Sequence, residues 1–71
     1  MATCRVNGEV LVRNRVLRLL TQEEVAAGVG ITRGALARAE AGGPIRMETA
    51  RRLAAFYELD PKDVVVFQVV A

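Results

Sequence analysis

Arg33 and Arg38 stand five residues apart in a stretch, Arg33–Glu40, that otherwise holds only Gly, Ala, Leu and Glu. A guanidinium is a rigid fork of donors that matches a phosphate or the O6/N7 edge of guanine. Gln22 and Thr32 offer further hydrogen-bonding groups on the same side in sequence, and Arg46 follows beyond Gly42–Gly43. Such groups recognise by hydrogen bonding and charge. Covalent chemistry has little to work with, because the chain has one cysteine, Cys4, and no histidine. A Cys–His or Ser–His pair, a Cys/His zinc site and a disulfide within the chain are therefore excluded. No cofactor is implied, and an enzyme is not expected.

These side chains need rigid elements to hold them, and the stretch Thr21–Gly42 supplies the pattern. Thr21-Gln22-Glu23-Glu24 is a capping box: the Thr21 hydroxyl accepts from the Glu24 amide, and the Glu24 carboxylate reaches back. The helix that follows stops near Gly28, with Gly28 and Gly30 free to take positive φ in a tight turn. Thr32 caps a second helix, Arg33–Glu40. Gly42 ends that helix in the left-handed conformation, and Pro44 blocks its continuation. Ala26 is small enough for two helices to cross closely. Val25, Val29, Ile31, Leu36 and Ala39 then share a core, leaving Arg33, Gly34, Ala35, Ala37 and Arg38 facing out. Two helices joined this way form a helix-turn-helix, whose second helix lies in the DNA major groove. An ordinary helical hairpin inside a bundle is the competing reading.

The flanking segments are read by the same rules. Thr3–Val6 is strand-like before Asn7–Gly8. Leu11, Val12, Val16, Leu19 and Leu20 follow helical spacing across Glu9–Leu20, with Asn7 as cap, although a strand over Glu9–Val12 competes. Ala50, Leu53, Ala54 and Tyr57 recur every three or four residues, which predicts a helix over Met47–Glu58. Asp60–Pro61 opens a short turn of helix at Pro61–Val65. The β-branched tail favours a strand at Val66–Val70, whose edge pairs either with Thr3–Val6 or with a second subunit.

Composition sets the frame. Seventy-one residues make one domain, and a domain this small is only marginally stable. Hydrophobic residues are 52% of the chain, against disorder. Nine of the ten basic residues are Arg, with Lys62 the exception. Arg richness decides little by itself, since GC-rich genomes favour Arg codons. The net charge of +2 is mild. No apolar run approaches the roughly 18 residues that span a bilayer. The N-terminus lacks a signal peptide's apolar core, so no membrane association is expected and a cytoplasmic protein is.

Thr21, Gln22, Ala26, Gly30, Ile31, Thr32, Glu40 and Gly42 together resemble the lambda-repressor-like helix-turn-helix domain of the Cro/repressor (Xre) type. The resemblance extends from about Glu9 to about Val65, and Glu48–Ala54 is similar to that family's fourth helix. It implies a compact, all-α, five-helix fold, here with short N- and C-terminal strands added. It also implies a dimer on palindromic DNA and a role as transcriptional repressor. Carried over residue by residue, Gln22 would donate to a phosphate. Thr32 and Arg33 would meet a phosphate or base edge, Ala35 a thymine methyl, and Arg38 a base one turn on. Arg46 would meet a phosphate. Arg15 and Glu40 match a structural pair that ties helix 1 to helix 3. Four positions depart from the pattern. Gly34 and Ala35 replace the polar base readers of many relatives. Leu19 stands where relatives often have Gly, and Asn14 where they have an apolar residue. An antitoxin or phage-type accessory protein, binding a protein partner, is the alternative function; an interaction module that has lost DNA binding is a third.

Overall fold

The computed structural model describes residues 2–66. Seven elements follow in order: β1 (Thr3–Arg5), α1 (Gly8–Leu17), α2 (Gln22–Val29), α3 (Arg33–Glu40), β2 (Pro44–Arg46), α4 (Met47–Phe56) and α5 (Pro61–Val64). The five expected helices are present, but the domain is not purely helical. β1 and β2 form an antiparallel pair with Thr3 opposite Arg46, Cys4 opposite Ile45 and Arg5 opposite Pro44. β2 was not expected. Its three residues are too few to carry a strand pattern, and its partner lies about 40 residues away in sequence. The expected tail strand, Val66–Val70, lies almost wholly outside the described residues. At its start, Val65 bridges Val6, and the Val66 amide donates to the Arg5 carbonyl at 2.9 Å.

The helix starts follow their caps. Asn7 Oδ1 accepts from the Val10 amide, so α1 begins at Gly8 rather than Glu9. The Thr21 capping box is complete in both directions. The Thr21 amide and then its hydroxyl donate to Glu24, and they hold its carboxyl below the usual carboxylate range. Thr32 Oγ1 accepts from the Ala35 amide at 3.0 Å. Asp60 Oδ1 accepts from the Lys62 amide, with Pro61 as first helical residue.

The ends depart more from expectation. α1 stops at Leu17, not Leu20, because Leu19 turns left-handed at φ 55°. The Leu19 amide then donates to Val16 O and the Leu20 amide to Arg15 O. This is the Schellman closure, made with leucine where glycine is usual. α4 stops at Phe56 in the same way, with Glu58 at φ 55°. α3 ends as expected: Gly42 is left-handed, and the Gly42 and Gly43 amides donate to Ala39 O and Arg38 O. α2 runs on to Val29 and is closed by Gly30 at φ 83°. Gly28 is therefore helical, not a turn residue, and a β-carbon there would meet the Phe56 ring at 2.6 Å.

All layers meet in one core. Val25, Ala26 and Val29 of α2 bury with Leu36 and Ala39 of α3, as their spacing predicts; Ile31 is half-buried against them. Leu11, Ile45, Leu53, Ala54, Tyr57 and Val64 close it from the other elements. α1 reaches α3 through Gly8, where a β-carbon would overlap the Glu40 carbonyl. Asn14, half-buried, donates to the Val10 carbonyl within its own helix, which lets a polar residue stand beside the core.

Candidate nucleic-acid interface

The outward side of α3 is built by exclusion. Leu36 and Ala39 are fully buried, so the helix must turn Arg33, Gly34, Ala37 and Arg38 to solvent, with Ala35 half-buried between the faces. Arg33 is not free on that face: its Nε lies 2.8 Å from Glu23 Oε1 of α2. Gly34 has open space around it. The nearest atom to a β-carbon there would be Thr32 Oγ1 at 3.9 Å, and its φ is not in the positive range. Arg38 lays its aliphatic stem against Gly43, where a β-carbon would meet Arg38 Cγ at 2.9 Å. Among the described residues neither Arg38 nor Arg46 forms an ion pair.

Beside this face runs an open groove of about 500 Å³, walled by α3 on one side and by β2 and α4 on the other. Thr32, Ala35, Arg38 and Arg46 all line it. Four of the seven expected site residues thus share one concavity, and Arg33 and Gly34 lie next to it on the convex face. Arg46 comes to the groove through β2, not through a loose loop as expected. It is held in place by Thr3 opposite it and by the Met47 amide, which donates to the Ala2 carbonyl. Thr49 and Arg52 of α4 also line the groove and were not anticipated. Their signal was available: Glu48 and Arg52 are spaced i, i+4 and pair at 3.0 Å, which marks one exposed stripe of α4.

Gln22 stands apart from the groove. Its Nε2 donates to Glu40 Oε1 at 2.9 Å, so one amide hydrogen is committed inside the protein. Glu40 is the hub of this corner. Arg15 Nε donates to Oε2 at 2.7 Å and Nη2 to Oε1 at 3.2 Å, while Nη1 reaches the Leu20 carbonyl at 3.0 Å. The side chains are only 17% and 6% exposed. The hydrogen bond to Glu40 raises the Arg15 pKa, against the opposing effect of burial. A two-pronged, water-poor fork of this kind fixes α1, the α1–α2 junction and the end of α3 relative to one another. Arg15 is accordingly a positioning group for α3. Arg18 performs a smaller version of the same task, donating to the Tyr57 carbonyl and lying 5.2 Å from its ring centroid.

What the arrangement can do follows from its parts. A short rigid helix presents two guanidinium groups and a smooth strip of small residues. Two more arginines stand one groove-width away. That suits a polyanion with a readable edge better than a small molecule. Among the described residues no helix is long and apolar enough to cross a membrane. Comparison with characterised proteins and with solved structures gives no match. Comparison with protein families does: residues 11–64 match the helix-turn-helix model, covering every helix except the first turn of α1. The chain belongs to the Cro/C1-type, Xre-like helix-turn-helix family of DNA-binding regulatory domains.

Proposed function

We propose that this protein is a sequence-specific transcriptional regulator, a cytoplasmic repressor that binds a palindromic operator as a homodimer. The observation that carries the reading is the exposed strip of α3. Gly34 lies there in a helix with open space around it. Nothing among the described residues requires a glycine there, and glycine weakens helices. A face kept smooth between two arginines fits close approach of the helix to a nucleic-acid groove. In this reading α3 enters the major groove, with Arg33 and Arg38 on base edges and Ala35 near a thymine methyl. Thr32 and Arg46 meet phosphates, as does Gln22 through its second amide hydrogen.

Selection of bound duplexes from a random pool tests the proposal. An enriched inverted repeat is expected. Replacing both Arg33 and Arg38 with Ala should abolish preference for that site. Replacing Arg46 with Ala should weaken binding to all sequences alike and lower the salt slope by about one. A pool that yields no enriched sequence refutes the reading.

A second reading, an antitoxin-like or phage-type accessory protein, has its own support. Leu17 and Leu19 are 73% and 90% exposed, beside half-exposed Val16 at the end of α1. Large apolar groups displayed together favour a protein partner. Co-purification of a second chain that shields these residues would favour it.

A further inference from the structure

We propose that Glu23 is a positioning residue for base recognition: it aims Arg33 at guanine and so sets sequence discrimination at the expense of overall affinity. The inference rests on the DNA-binding reading above and names a determinant within that interface. Glu23 is the second residue of α2 and Arg33 the first of α3, so the turn brings the two helix starts side by side. Glu23 Oε1 lies 2.8 Å from Arg33 Nε, an ion pair across the turn. Among the described residues Nη1 and Nη2 have no partner, and their spacing suits the O6 and N7 acceptors of guanine.

Both side chains are 66% exposed, so the pair does little for the fold. Its effect is on Arg33, a long side chain that would otherwise sample many rotamers at the helix start. Arg38 differs, since its stem is already braced by Gly43 and it has no carboxylate partner among the described residues. Among the described residues Arg33 has only Glu23. Gly34, next in the chain, leaves room for the base edge to come close. A carboxylate at this edge also repels phosphates of any sequence. Glu23 therefore penalises binding in general while sharpening it at one base pair.

The test uses the full chain and the duplex that the wild type selects from a random pool. Wild type, Glu23→Gln, Arg33→Ala and the double variant are titrated at fixed salt against that duplex, its single-base-pair exchanges and a random-sequence duplex. Arg33→Ala identifies the base pair that Arg33 reads. Glu23→Gln is expected to lose about tenfold in discrimination at that same pair while binding the random duplex more tightly. In the Arg33→Ala background it should change discrimination no further. A purely structural role for Glu23, as a helix-start charge, would instead weaken every duplex alike. Full discrimination retained by Glu23→Gln, or a uniform loss at all positions, overturns the proposal. If the wild type enriches no sequence, the DNA-binding reading falls and takes this one with it, a failure distinct from the first two.

Discussion

Arg15→Ala tests whether the buried fork holds α3 in place or belongs to the proposed DNA interface. The substitution removes both prongs to Glu40 and the bond to the Leu20 carbonyl. Glu40, 6% exposed, is left as a carboxylate whose remaining partner among the described residues is the Gln22 amide. Breaking one partner out of a buried pair costs about 3–5 kcal/mol. The 17% exposure of Arg15 admits some water, so the low end, about 3 kcal/mol, is expected. A 71-residue domain has a total stability of about 4–11 kcal/mol. A loss of that size lowers the melting temperature by about 12–24 °C. Urea denaturation followed by circular dichroism measures it, with the slope m unchanged if the transition stays two-state. Arg15→Met combined with Glu40→Leu should recover much of the loss, because an apolar pair leaves no orphaned charge. At a temperature where Arg15→Ala is fully folded, it should bind DNA as well as the wild type. A variant that keeps its stability within about 1 kcal/mol yet binds DNA weakly would refute the reasoning and move Arg15 to the DNA interface.

Four further outcomes follow from single positions. Gly34→Ala should stabilise the fold by about 0.5 kcal/mol in urea denaturation while weakening DNA binding, because the added methyl points into open space that the duplex would occupy. Leu19→Gly should raise stability by about 1 kcal/mol, since Leu19 is left-handed and 90% exposed and so loses strain without losing burial; a lower melting temperature would contradict this. Gly8→Ala should cost at least about 3 kcal/mol or prevent folding, because backbone atoms of Glu40 and Gly42 cannot move aside as a side chain could; a normal melting curve would be incompatible with the α1–α3 approach. Tyr57→Phe should stabilise by about 1 kcal/mol, as the buried hydroxyl has no hydrogen-bond partner among the described residues; a loss of stability would reveal a partner for it.

Features written in neighbouring residues were readable from the chain alone. The Thr21–Glu24 box, the Thr32 and Asp60 caps and the Gly42 closure depend on groups two to five positions apart, and each stands where its residue type requires. The apolar spacing that assigned Val25, Val29, Leu36 and Ala39 to the core is equally local. Pairing over long separations was not readable. β2 exists because Thr3–Arg5 lies alongside it, and Arg46 owes its position to that neighbour. The role of Gly28 depends on Phe56, and that of Gly8 on the Glu40 carbonyl. Leu19 shows a third limit. Its left-handed turn is unfavourable for leucine, so local preference argued for a longer α1, and the closure by the Leu19 and Leu20 amides prevailed. For the proposed interface the chain offers candidate residue types, but not their couplings. Neither the Glu23–Arg33 pair nor the Gln22–Glu40 bond has a signature in spacing, because each crosses from one helix to another.

The β1–β2 pairing bears on how the proposed interface could be reused. Transplanting Gln22–Glu40 alone into another scaffold would carry Arg33 and Arg38 but leave Arg46 without its splint. A portable cassette therefore needs Thr3–Arg5 as well as α4, which closes the core and walls the groove, and a fusion partner that pries Thr3–Arg5 away would blunt the groove's far wall without altering Arg33, Arg38 or Arg46.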